Sequence, residues 1–225
     1  MKSISIVFIF LLSVGCSKFQ AIDFLKPAGN SSSSGVASEF VSAGNGHTCS
    51  INKGSLQCWG FNFNGQLGDG TTVDKFTPTT IINSGVTQVA LGSAHTCAIV
   101  SGSLQCWGYN YYGQLGDGTT VDKNTPTTII NSGVTQVALG EAHTCAVVSG
   151  ALMSWGYNSY GQLGDGTTVN KSTPTTIINS DVTQVALGRF HTCALVSGAL
   201  KCWGSNSSGQ LGDGSLFATL PTPLP

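Results

Sequence analysis

The sequence predicts an all-β chain made of β-propeller blades, each a four-stranded antiparallel sheet. Three observations carry this. The tripeptide His-Thr-Cys recurs at His47, His95, His143 and His191, at a constant step of 48 residues. Leu91–Ala138 and Leu139–Ala186 differ at only nine of their 48 positions. Each unit also holds several short apolar runs punctuated by Gly, Asn and Pro, with no helical period of useful length. A period of this size marks propeller blades or a solenoid, whose units bury their faces only against their neighbours.

Within the type unit Thr87–Val134, four strands are expected in order: Gln88–Leu91, Thr96–Val100, Ser103–Trp107 and, following Pro126, Thr127–Ile130. Gly92, Ser101-Gly102 and Gly108 end the first three. Four strands per unit is the content of one blade. In this phase the units are 39–86, 87–134, 135–182 and a shortened 183–225.

The cysteines agree with this register. A two-residue turn at Ser101-Gly102 sets Cys97 opposite Cys106 at a non-hydrogen-bonded pair, where Cα atoms approach most closely and a disulfide fits. The same holds for Cys49 and Cys58 about Lys53-Gly54, and for Cys193 and Cys202 about Ser197-Gly198. Buried free thiols are the competing reading. Zinc fits less well, because the spacing does not match its usual ligand patterns. In the third unit Ser154 replaces the second cysteine, so Cys145 has no partner. It is either an inert buried thiol or half of an intermolecular bond.

The first residues are expected to lie outside the fold. Lys2 precedes an apolar run, Ile4–Val14, too short to span a bilayer, so Met1–Gly15 reads as a bacterial export signal. Leu12-Ser13-Val14-Gly15-Cys16 resembles the lipobox of bacterial lipoproteins, with Ser13 where Leu is commoner. That resemblance implies cleavage before Cys16 and acylation of its thiol. Residues 16–38 include Asn30-Ser31-Ser32-Ser33-Ser34-Gly35, a flexible tether by composition. The expected location is the bacterial cell envelope, lipid-anchored at the outer membrane or cell surface. An exported chain lies where disulfides persist.

Only 8% of residues are charged, with a net charge of −1. The few basic residues come about one per unit and form no cluster, which argues against nucleic acid as a partner.

The string Ala94-His95-Thr96-Cys97 … Trp107-Gly108-Tyr109-Asn110-Tyr111-Tyr112-Gly113-Gln114-Leu115-Gly116-Asp117-Gly118 … Pro126 resembles the repeat of the regulator of chromosome condensation family, over residues 39–225. The hairpin cysteines look like those of secreted bacterial members. The family implies four-stranded propeller blades, usually seven. Four units here leave three arrangements open: a contracted array, a ring closed by four blades, or an arc completed by a second chain and so prone to self-association. The guanine-nucleotide exchange of the eukaryotic founder is not expected of an exported, weakly acidic chain, because fold does not determine function.

The four repeated histidines suggest a metal, but equivalent positions on blades about 10 Å apart are too distant to share one ion away from the axis. They read as satisfied structural histidines beside the hairpin. Trp59, Trp107, Trp155 and Trp203 read as blade-to-blade packing. Asp69, Asp117, Asp165 and Asp213, each in Gly-Asp-Gly, read as turn aspartates bonded to their own backbone. Asp74 and Asp122 add a second carboxylate that becomes Asn170 in the third unit, too few oxygens for calcium. No metal and no cofactor is expected, and no unique nucleophile with a base stands out, so the chain is not expected to be an enzyme.

One loop varies among near-identical copies: Phe61-Asn62-Phe63-Asn64, Tyr109-Asn110-Tyr111-Tyr112, Tyr157-Asn158-Ser159-Tyr160 and Ser205-Asn206-Ser207-Ser208. It holds all five tyrosines. Large rings in a polar loop are the composition of binding loops. The expected binding face is Phe61, Phe63, Tyr109, Tyr111, Tyr112, Tyr157 and Tyr160, unless the rings pack back onto neighbouring blades. Ser93, Glu141 and Arg189 vary too and would extend it. The expected function is a non-catalytic module for an unidentified protein. A glycan, stacked on rings and bonded to Asn, is the second reading, and a hydrolase with a unique axial site the third.

Overall fold

The computed structural model describes residues 40–215 and 219–223. The proposed export signal, Cys16 and the tether lie outside them. The described residues form sixteen strands in four antiparallel meanders, each in simple sequence order. The first sheet is β1 (Phe40–Ala43), β2 (His47–Asn52), β3 (Ser55–Gly60) and β4 (Lys75–Ile82). The second is β5 (Val86–Leu91), β6 (His95–Val100), β7 (Ser103–Gly108) and β8 (Lys123–Ile130). The third is β9 (Val134–Leu139), β10 (His143–Val148), β11 (Ala151–Gly156) and β12 (Lys171–Ile178). The fourth is β13 (Val182–Leu187), β14 (His191–Val196), β15 (Ala199–Gly204) and β16 (Thr219–Pro223). The first strands β1, β5, β9 and β13 adjoin one another in series, so they are the inner strands and the fourth strands are the outer edge. The fold is thus all-β propeller blades, as the repeat predicts.

The outer strands are longer than expected. β8 begins at Lys123 and runs through Pro126, where the sequence suggested a start at Thr127. Pro cannot donate a ladder hydrogen bond, but an edge strand leaves one side unpaired, so it is accommodated there. Pro78 and Pro174 occupy the same place in β4 and β12.

The central hairpins have the expected register. Cys97 faces Cys106, Cys49 faces Cys58, and Cys193 faces Cys202. Each pair is a disulfide with Cα atoms 4.1 Å apart. The turns need positive φ at both central residues, met by Ser101 (51°) and Gly102 (81°). Cys145 faces Ser154 and makes a short contact with its hydroxyl. It is fully buried, and burial pushes its thiol up to about 12, which suppresses the reactive thiolate.

The core lies between blades. Ile51, Leu56, Leu67 and the Cys49–Cys58 bridge of the first sheet pack on Val86, Val89, Leu91, Ala98 and Trp107 of the second. The second packs on the third, and the third on the fourth, through equivalent residues. A blade therefore has a trailing face, carrying the disulfide and Leu56-type residue, and a leading face, carrying the Val89- and Trp107-type residues.

Ser154→Cys restores the pattern of the other blades and is expected to form a fourth bridge, joining the new thiol to Cys145 across the β10–β11 hairpin. The chain-entropy model gives about 2.7 kcal/mol for a loop of about ten residues. Non-reducing peptide mapping and denaturant unfolding check it; a variant that stays reduced, or is no more stable, contradicts the hairpin geometry.

Candidate functional site

Each variable loop is tied down from within. Asn110 is fully buried. Its Nδ2 donates to the Asp117 carboxylate and to the carbonyls of Thr119 and Val121 at 3.1–3.2 Å, and its Oδ1 accepts from the Leu115 N–H at 2.9 Å. Asn62, Asn158 and Asn206 make equivalent sets. A buried amide with donors and acceptor all engaged holds one loop conformation.

The Gly-Asp-Gly aspartates complete this knot. Asp69, Asp117 and Asp165 accept from the backbone and hydroxyl of the Thr two residues on, which is the turn expected of them. Lys75, Lys123 and Lys171 add ion pairs at 2.9, 3.2 and 3.4 Å. Burial works against the charge on Asp69, but hydrogen bonds from Lys75, Thr71 and Asn62 outweigh it and hold the carboxyl below its usual range. Lys75, Lys123 and Lys171 are therefore structural counter-ions of the first three units. Asp74 and Asp122 accept from the loop N–H groups of Asn62 and Asn110, a role that Asn170 fills equally with its amide oxygen.

On this base the rings divide into two sets. Phe61, Phe63, Tyr111 and Tyr160 are exposed, Phe63 by 71% and Tyr111 by 66%. Tyr109, Tyr112 and Tyr157 are partly buried, and the last two link blades: Tyr112 meets Tyr157 at 4.8 Å between centroids. Tyr157 and Tyr160 then meet Phe190 at 5.9 and 5.0 Å. Packing onto a neighbouring blade thus applies to part of the loop, while other rings stay exposed. Phe190 was not singled out from sequence, although it stands where the other units have Gly46, Ala94 and Ala142.

Arg189 lies over the Phe190 ring, 4.9 Å from its centroid, and pairs closely with Glu141. Asn45 donates to Ser93 at 2.9 Å. The variable positions 45, 93, 141 and 189 thus form a row bonded across blades, which joins the aromatic band at Phe190. An open hollow at the end of this band is lined by Tyr160, Arg189, Phe190, His191 and the 205–208 loop.

The histidines differ from expectation in where they are satisfied. His47 Nε2 meets Thr96 Oγ1 of the next blade at 2.8 Å, and His95 and His143 meet Thr144 and Thr192 likewise. Thr96 gives its single hydroxyl proton to the Gln66 carbonyl at 2.8 Å. Its oxygen therefore accepts from His47, so the imidazole carries its proton on Nε2. Nδ1 has no partner among the described residues in His47, His95 or His143, so only half of each ring is satisfied. The cost falls on an acceptor lone pair rather than on an N–H group. Among the described residues no three His, Cys, Asp or Glu side chains gather as a metal-ligand set.

Three family-model matches cover residues 53–99, 101–147 and 149–195, as regulator of chromosome condensation (RCC1) repeats. The chain belongs to the RCC1 repeat family. Each matched RCC1 repeat begins at a hairpin turn and ends in the second strand of the next sheet, so the sequence unit straddles two blades. Human WBSCR16 resembles this chain with a TM-score of 0.72 and 27% identity, over 85% of this chain and 54% of that one. Prp20p of Saccharomyces cerevisiae, described with its binding properties to Gsp1p and histones, matches with a TM-score of 0.72 and 23% identity, over 86% and 52%. This RCC1 repeat chain spans about half the length of these solved structures. No curated protein matches it.

Burial pushes His47 down to about 4, and burial with neighbouring imidazoles pushes His95 and His143 to about 3. The unfolded chain takes up these protons near pH 6.5. Below that pH the unfolded state binds more protons than the folded one, so stability present at neutral pH is lost as pH falls toward 4. The thermal midpoint is expected to decline from about pH 6.5, well before any carboxylate titrates. A flat midpoint between pH 7 and 4.5 contradicts the neutral, buried histidines.

Proposed function

We propose that this RCC1 repeat chain is a non-catalytic protein-binding module displayed on the bacterial cell envelope. The observation that supports it is the aromatic band. Exposed rings at Phe61, Phe63, Tyr111 and Tyr160 stand on loops held by buried Asn and by Asp, so little loop freedom remains to be lost on binding. Prp20p, of similar fold, is described with protein partners. The glycan reading loses support, because the asparagines repeated in these loops, Asn62, Asn110, Asn158 and Asn206, are buried and bonded inside them. The band and the row 45, 93, 141 and 189 together make the recognition surface. Display on the envelope rests on the Gly15-Cys16 pattern and the Ser-rich tether.

Changing Phe63, Tyr111 and Tyr160 together to Ser, the residue of the fourth unit at all three places, removes exposed rings from an otherwise complete knot. The thermal midpoint is expected to stay within a few degrees. Binding to the protein captured by cross-linking in the native envelope should weaken, each true anchor contributing about 2 kcal/mol. Lost stability with unchanged affinity per folded molecule would make the rings packing groups and sink the proposal. The anchor is tested separately by Cys16→Ser, which should move the protein from the membrane to the soluble fraction. Identical fractionation of the two forms, with no acyl mass on the N-terminal peptide, refutes lipidation.

A further inference from the structure

Three kinds of contact build the internal blade interfaces: among the described residues the indole bond occurs at all three, and the other two at two interfaces each. Trp107 Nε1 of a leading face donates to the Gln66 carbonyl of the preceding trailing face at 3.0 Å. The Gln88 side chain of a trailing face clasps the backbone of Val137 on the next blade, at 2.9 Å to its oxygen and 3.1 Å from its nitrogen. Gly70 N–H donates to the Asn124 carbonyl at the start of the next outer strand, at 2.8 Å. The indole bond recurs through Gln114 and Gln162 at the second and third interfaces, the glutamine clasp, which Gln88 makes at the second, recurs through Gln136 at the third, and the glycine bond recurs through Gly118 at the second.

The two end faces carry the halves of this set, each without its counterpart. On the leading face of the first blade, Trp59 and Thr48 are partly exposed, whereas Trp107, Trp155, Trp203 and Thr96, Thr144, Thr192 are fully buried. Val41 is 74% exposed where Val89, Val137 and Val185 are buried. Phe76 is 93% exposed at the position of Asn124. On the trailing face of the fourth blade, Leu200 is 44% exposed where Leu56, Leu104 and Leu152 are fully buried. Gln184 and Gln210 are exposed there as well. Among the described residues nothing packs β13 against β1 as β5 packs against β1.

We propose that the leading face of one copy docks on the trailing face of a second copy, reproducing the internal interface. Trp59 donates to the Gln210 carbonyl, Gln184 clasps Val41, Gly214 N–H donates to the Phe76 carbonyl, and Leu200 is covered. This head-to-tail contact is heterologous, and two copies close a ring when it forms twice. Eight blades is within the range in which propellers close.

The choice of a second copy rests on continuity with the internal interfaces, whose contacts each end face already presents in matching order. A terminal repeat that only caps an array needs a polar outer face. Here Val41 and Phe76 are large and apolar, and Phe76 stands where internal blades have Asn124 and Ser172. Ser50 and Ala43 replace Ala98 and Leu91, so the joint between copies is weaker than an internal one and dissociates on dilution.

Sedimentation equilibrium, with detergent if the chain is acylated, should give twice the mass of one chain, which is 23.1 kDa for all 225 residues and less once the export signal is removed. Val41→Lys and Leu200→Lys each spoil one exposed face without touching the other. Either variant alone should raise the dissociation constant at least about tenfold, with hairpin disulfides intact and a thermal midpoint matching that of wild type diluted to single chains. Mixing the two variants should restore a dimer, since each brings the intact face that the other lacks. A wild type of single-chain mass overturns the proposal, because the faces are then left open or closed within one chain. A dimer that survives in either variant, or a mixture that stays monomeric, also overturns it.

Discussion

The joints of this molecule depend on one carbonyl oxygen at each of the three internal blade interfaces. The Gln66 carbonyl, at the foot of a ring-bearing loop, accepts both the Trp107 indole N–H and the Thr96 hydroxyl of the next blade. Thr96 in turn accepts from His47, which closes the circuit back to the first blade. Three polar groups are thereby satisfied at a junction buried on all sides, where an unpaired one would cost about 1–3 kcal/mol. The approach is close: a Cβ at Gly68 would stand 2.6 Å from Trp107 Nε1. His, Thr, Trp and the Gly-Gln-Leu-Gly run therefore recur together because they are parts of one joint rather than separate motifs.

The joint also explains where variation is permitted. The His, Thr and Trp of the buried joint, and the asparagines that knot the loop at Asn62, Asn110 and Asn158, keep one identity from copy to copy. Positions that project outward from the knot differ: Phe63, Tyr111 and Ser159 occupy one and the same place. A scaffold that sets loop shape from inside can change its outer side chains at little cost in stability, and binding surfaces arise on such loops.

Much of the fold was legible in the sequence because it is governed by periodicity and turn chemistry. The step between His47, His95 and His143 sets the unit, and Ser101-Gly102 sets the hairpin register that brings Cys97 to Cys106. The outer strands were less legible, since Pro126 breaks the usual strand signal and is tolerated only because β8 lies at an edge. The histidine partner was hidden for a different reason. His47 and Thr96 are 49 residues apart, and only the angle between blades brings them together. At the candidate site, the loop composition pointed to the rings but could not sort Tyr111, which faces solvent, from Tyr112, which packs on Tyr157 of the next blade. Phe190 lay in another segment of the chain and joined the band only through that same packing.

The account's central claim is that the inter-blade joint holds the ring-bearing loop of the blade before it. Thr144→Val keeps the shape of the side chain but removes the hydroxyl that bonds the Gln114 carbonyl and receives His95. Amide hydrogen exchange of this variant is the direct test. The account predicts faster exchange at Gln114, Leu115 and the 109–112 loop of the preceding blade, together with β10. Faster exchange confined to β10, with residues 109–115 unchanged, would contradict it.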